Sequence, residues 1–159
     1  MQQFLELFHP LPGSKYLIVT THADAIAKVL AEKMLHVEGM LWLECYPGEH
    51  EIIDGNHVKR HDIAHFKAPF RALPREYDMV IFQDIYSQHN YPERLLKLAY
   101  TTLANTAHLI IMEPKGTLDI PTLLQDFERM EYRAANAIDL LDDYDLVMAK
   151  KMHMWGNGL

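Results

Sequence analysis

The feature that most restricts what this chain can fold into is a repeated change of hydrophobic period. Short runs of β-forming residues alternate with longer stretches of helical period, which is how strands and helices interleaved in one α/β sheet look in sequence. Residues 16–20, Tyr-Leu-Ile-Val-Thr, hold too little polarity for a solvent-washed face and predict a central, parallel strand. Over 23–35, Asp24, Lys28 and Glu32 form one stripe, with Ile26, Val29, Leu30 and Met34 opposite, so a helix with one wet side is expected. Its start is Thr21-His22-Ala23-Asp24, where Thr21 and Asp24 are placed to satisfy orphan N–H groups.

Further strands are predicted at 40–45, ended by Pro47-Gly48, at 58–63, and at 79–82 after Tyr77-Asp78. Asn90 as cap, Pro92 in the first turn and Glu93 near the positive end of the dipole open the next helix. Leu95, Leu96, Leu98, Ala99 and Leu103 make its buried side, and Asn105 is its expected left-handed terminator. A strand at 109–112 and a helix over 121–130, apolar at Leu123, Leu124, Phe127 and Met130, come next. The last two strands, near 135–140 and 144–152, are joined at Asp142-Asp143 by a connection too short for a parallel crossover.

At 159 residues the expectation is one domain over 1–159 with a substantial core. The formal charge of −7 leaves no broad basic face for phosphates, so no nucleic-acid partner is expected. The single cysteine, Cys45, makes neither an intrachain disulfide nor a thiolate zinc site and suits a reducing compartment. The opening Met-Gln-Gln-Phe-Leu-Glu-Leu-Phe-His-Pro lacks the marks of a signal peptide, and no apolar run nears the ~18 residues of a bilayer span. A cytoplasmic protein with no membrane partner is predicted. Gly-x-Ser-x-Gly, Walker and Cys-x-x-Cys patterns are all missing, so hydrolase, P-loop and thiol-redox chemistry have no basis in the sequence.

Two stretches carry a resemblance. Tyr77-Asp78-Met79-Val80-Ile81-Phe82-Gln83-Asp84-Ile85-Tyr86-Ser87-Gln88-His89 pairs an aromatic-Asp start with four apolar residues and a downstream His. Leu103-Ala104-Asn105-Thr106-Ala107-His108-Leu109-Ile110-Ile111-Met112-Glu113-Pro114 reads as a helix end, a tight turn and a strand. With five β/α alternations, a further helix and a closing hairpin, the chain from Tyr16 to about Trp155 resembles the class I S-adenosylmethionine-dependent methyltransferases. The resemblance implies a three-layer α/β sandwich around a seven-stranded, mostly parallel sheet whose last strand is antiparallel. It implies S-adenosylmethionine as cofactor, near Thr20, His22, Cys45 and Gln83, with Glu44 on the ribose hydroxyls and Asp62 and Ile63 beside the adenine. The family's glycine-rich loop corresponds here to Ile18-Val19-Thr20-Thr21-His22-Ala23-Asp24, which has no acid at Ile18 and no glycine. The expected function is methyl transfer to a small molecule; the alternative is a methyltransferase-like scaffold that binds a partner protein or another ligand without the cofactor.

Asp84, Tyr86 and His89 fall on the loop after the fourth strand, where a methyl acceptor would sit. His89 is the first choice for a base because its ordinary pKa is near neutrality; its bland reading is a loop histidine beside the Asn90 cap. An Asn/Asp-Pro-Pro-aromatic motif for methylating base or glutamine amino groups is missing. His57, His61 and His65 recur every fourth residue, but on a strand that spacing spreads them about 13 Å apart, and no metal is expected. Cys45 is expected to be a small buried hydrophobe. Met152, Met154 and Trp155 suit sheet packing or an edge that a second copy covers.

Overall fold

The computed structural model describes residues 2–71 and 73–152. Eleven elements follow in chain order: α1 (Gln2–Leu5), β1 (Lys15–Thr20), α2 (Ala25–His36), β2 (Met40–Cys45), β3 (Val58–Asp62), β4 (Tyr77–Gln83), α3 (Pro92–Thr102), β5 (Leu103–Pro114), α4 (Ile120–Arg129), β6 (Tyr132–Ile138) and β7 (Tyr144–Lys151). The strands form one sheet in the order β3-β2-β1-β4-β5-β7-β6. Pairings from β3 to β5 are parallel, and β7 is antiparallel to both β5 and β6.

Period-2 alternation divides the core between the two sheet faces. Ile18, Leu43, Ile81 and Ile110 face α1 and α2, meeting Phe4, Phe8, Leu30 and Met34. Leu17, Val19, Val80, Leu109 and Ile111 face the other way, onto Leu95, Leu96 and Ala99 of α3 and Leu123 and Phe127 of α4. This is the expected three-layer arrangement. The central strands β1 and β4 are buried along nearly their whole length, as parallel strands covered on both faces must be.

The alternation of strand and helix is less regular than the sequence suggests. Among the described residues no helix joins β2 to β3 or β3 to β4. The first connection holds Pro47, Gly48, Asp54 and Gly55, the second Pro69 and Pro74, and such residues favour turns over helix. In the second connection Phe66 and Phe70 do the covering: Phe66 stacks on Tyr46 and Phe70 meets Phe82 edge-on.

Several helix ends also differ from expectation. Asp24 caps α2, accepting from Ile26 N–H at 3.0 Å, but Thr21 takes no part, because its hydroxyl reaches across to the Asp84 carbonyl at 2.5 Å. Asn90 does not cap α3; the N-cap is Tyr91, at φ −133° and ψ 69° with no side-chain cap bond, outside the α region that a following proline disfavours. Leu103 belongs to β5 rather than α3, and the left-handed residue is Thr106 (φ 71°), with its N–H held by Asn105 Oδ1. β6 begins at Tyr132, earlier than its small residues suggest, and shifts register between Arg133 and Asn136. Met152 follows β7 and is exposed; Met154 and Trp155 lie outside the described residues. Among the described residues no helix is long and apolar enough to cross a membrane.

Candidate functional site

From β1 the chain builds outward through β2 to β3, then returns to lay β4 and β5 on β1's other side. The boundary between β1 and β4 is therefore the topological switch point, where an open parallel sheet leaves a crevice at its carboxyl end. Four residues singled out in the sequence stand there in register: Asp62 beside Cys45, Cys45 beside Thr20, and Thr20 beside Gln83.

The β1–α2 loop manages without glycine. Residues 20–24 are not among those with positive φ, so the strain that a β-branched threonine would suffer there does not arise. Thr20 is fully buried and turns its hydroxyl onto its own loop, accepting from His22 N–H at 2.8 Å. His22 is exposed, with Nδ1–H donating to the Glu49 carbonyl at 2.9 Å. Loop 46–51 is laced onto this segment at further points: Tyr46 N–H to Thr20 O and Glu51 N–H to Ala23 O. His50 bridges the two loops, its Nδ1 accepting from Ala23 N–H at 3.0 Å and its Nε2 2.7 Å from Tyr46 O. Those partners place its proton on Nε2. Gly48 sits so close that an added Cβ would collide with the Thr21 carbonyl oxygen.

Glu44 ends β2 as expected, yet its carboxylate faces inward. It is 4% exposed; Oε2 accepts from His61 Nδ1 at 2.6 Å and Oε1 from Arg71 N–H at 2.5 Å. Burial raises its pKa above the ordinary carboxylate value, and the two hydrogen bonds pull it down. Cys45 is buried, its thiol pushed up to about 11 by burial, which leaves little thiolate at neutral pH. Asp62 is exposed and pairs with Arg60 at 2.9 Å, while Ile63 is buried with its N–H on the Cys45 carbonyl. His57 bonds the Ala31 carbonyl, His61 bonds Glu44 and His65 is exposed. Among the described residues no three His, Cys, Asp or Glu side chains form a group that could hold a metal.

Beyond β4 the character changes. Gln83 is fully buried, its amide donating to Asp24 Oδ1 at 3.1 Å. Asp84 is left-handed (φ 56°) and accepts at Oδ2 from the Tyr144 hydroxyl, 3.2 Å away. Glu113, fully buried in β5, accepts from both the hydroxyl and the N–H of Ser87. Among the described residues, three buried side-chain polar atoms have no hydrogen-bond partner: Gln83 Oε1, Asp84 Oδ1 and Glu113 Oε2. All three belong to the carboxyl ends of β4 and β5. Burial raises both carboxyl pKa values, and the charge of Asp84 raises that of Glu113 further.

Tyr86 is buried, with Asp126 against its hydroxyl. His89 is also buried; burial lowers its pKa, and its Nδ1 accepts from Tyr91 N–H at 2.9 Å, so the neutral ring carries its proton on Nε2. Tyr86, Ser87 and His89 form one wall of a cleft of ≈ 280 Å³ whose other wall is the β5–α4 connection and α4. Sequence reasoning missed Glu113 and Tyr144. The first left a trace, a lone acid ending the apolar run Leu109-Ile110-Ile111-Met112; the second left none.

No family model matches the chain, and no curated protein matches it in sequence. Solved structures do. A phosphoethanolamine N-methyltransferase 2 of Haemonchus contortus, in complex with S-adenosyl-L-methionine, superposes with a TM-score of 0.72 at 8% identity, over 96% of this chain and 52% of that one. The chain has the class I S-adenosylmethionine-dependent methyltransferase fold. A methyltransferase from Aquifex aeolicus shares this fold with a TM-score of 0.72 and 14% identity, over 94% of this chain and 88% of that one. One from Mesorhizobium loti gives 0.69 and 10%, over 94% and 96%. The chain thus spans about half the length of the Haemonchus protein and nearly the whole of the Mesorhizobium one, so what these proteins share is the methyltransferase fold.

Proposed function

We propose that the chain is an S-adenosylmethionine-dependent methyltransferase acting on a small molecule. The observation that carries this reading is the crevice at the switch point of a methyltransferase fold, where the buried Gln83 Oε1 has no donor of its own. Two structural neighbours support the cofactor, one solved with S-adenosyl-L-methionine and one with S-adenosylhomocysteine. The residues fit the cofactor's two ends unequally. Near β4 the unpartnered amide oxygen of Gln83 and the carboxylate of Asp84 suit a ligand that brings N–H donors and positive charge. Thr20 and His22 border this end, with their polar atoms turned onto the protein's own backbone.

At the other end Glu44, flanked by Cys45, Asp62 and Ile63, would hold the ribose and adenine. It can accept ribose hydroxyls only after His61 or Arg71 N–H gives way. When bound, the cofactor supplies an electrophilic methyl group, and the protein's task is to orient an acceptor and take its proton. Asp84 suits the proton better than His89: its raised pKa and unpartnered Oδ1 make it a basic carboxylate, whereas the lone pair of His89 Nδ1 is taken by Tyr91 N–H. Tyr86 positions the acceptor from the cleft wall.

A scaffold that keeps the fold without the cofactor is the second reading, favoured by one observation: both oxygens of Glu44 already have partners within the chain. Calorimetric titration of S-adenosylmethionine and S-adenosylhomocysteine into the protein and into Glu44→Ala separates the two. Micromolar binding, weakened about tenfold or more by the substitution, is expected. No heat of binding at millimolar ligand overturns the methyltransferase reading in favour of the scaffold.

A further inference from the structure

Two buried carboxylates end neighbouring strands, Asp84 just beyond β4 and Glu113 in β5, and each keeps one oxygen without a donor. Among the described residues neither has a Lys, Arg or His within ion-pair distance. A buried carboxylate without compensation is strongly disfavoured unless it is protonated or meets a cation. The ≈ 280 Å³ cleft lies alongside, and its wall includes Ser87, the residue whose hydroxyl is bonded to Glu113. Asp119 and Asp126 add negative charge to the lining, Leu118 and Leu123 supply apolar surface, and no Lys or Arg lines it among the described residues. Asp126 is answered by Arg129, and Asp119 caps α4; Glu113 and Asp84 have only the neutral donors of Ser87 and Tyr144.

A bare metal ion does not fit, because among the described residues no three ligating side chains are grouped to hold one. An ammonium group on a short hydrocarbon fits both parts: N–H donors for the unpartnered oxygens, and an apolar body for the cleft. We propose that the cleft binds a small aliphatic amine, its hydrocarbon portion against Leu118 and Leu123 and its ammonium group received past Ser87 by Glu113 and Asp84. The inference goes beyond the methyl-transfer reading: it shares Asp84 with that reading but needs no bound cofactor.

The test is calorimetric titration of the full chain, without S-adenosylmethionine, using n-butylamine, n-butanol, butyrate and MgCl₂ in turn. Butylamine is expected to bind at least about tenfold more tightly than butanol, the margin of a charge-assisted hydrogen bond, with no heat from butyrate or magnesium. Besides each other, the carboxyls are faced by His22 and Asp24 of the β1–α2 loop, Tyr144 of β7 and Ser87, and His89 lines the cleft. Glu113→Gln abolishes the preference for amine over alcohol, and Asp84→Asn, which tolerates the left-handed backbone, serves if the first variant does not fold. Equal affinity for butylamine and butanol, an unchanged preference in the folded variants, or magnesium binding that excludes butylamine would each overturn the proposal. A failure of S-adenosylmethionine to bind leaves this outcome separate.

Discussion

Glu113 is the residue whose situation is least comfortable: fully buried, with one oxygen lacking a donor and with Asp84 as a neighbour of like sign. Its folded pKa lies above the ordinary 4.5, so as pH rises the unfolded chain gives up this proton first. The stability it contributes is therefore complete below pH 4.5 and is lost as pH climbs through the folded value. Glu113→Gln keeps the shape and an acceptor for Ser87 but has nothing to ionise. The variant is expected to exceed the parent in stability by about 1–3 kcal/mol at pH 7, with the difference shrinking towards pH 4. Urea midpoints across that range check this, and a gap that widens on acidification would contradict it. Glu44 shows why such roles are hard to read from spacing. Its acid at the end of β2 was legible and its place at the sheet's carboxyl end was right, but its partners lie 17 and 27 residues away, and no local pattern announces them.

Elements were legible where one period governs a run of residues, and obscure where the backbone answers to a distant contact. The cores of β1, β2, β4, α2, α3 and α4 follow their apolar patterns closely. The ends of α3 do not: Pro92 keeps Tyr91 out of the α region, where it takes the N-cap position in place of Asn90, and pairing with β4 draws Leu103 into β5. The two connections flanking β3 show the same limit, since turn residues there suppress helices that the alternation had promised. Loop 46–51 depends on one small residue for its approach to the β1–α2 loop. Gly48→Ala is expected to push the two apart, lowering stability by about 1–3 kcal/mol and speeding amide exchange at Ala23 and Glu51, whose backbone groups join the loops. Unchanged exchange at both amides would show that the approach does not hold them.

For the whole molecule, β5 is the strand on which both halves of the sheet depend. It pairs with β4 on one side and β7 on the other, and Ile111 sits fully buried between the sheet and the α3–α4 layer. Ile111→Ala is expected to cost about 2–5 kcal/mol, with far-UV and near-UV circular dichroism falling together in one transition on heating; two separate transitions would mean that the halves unfold separately. The strand order also sets a schedule for synthesis. Because β7 slots between β5 and β6, a chain growing on the ribosome must hold the edge of β5 open until the β6–β7 hairpin emerges. A hydrophobic strand edge is then available to any neighbouring extended segment. The interval between the emergence of β5 and that of β7 is thus the moment at which this molecule is most exposed to aggregation.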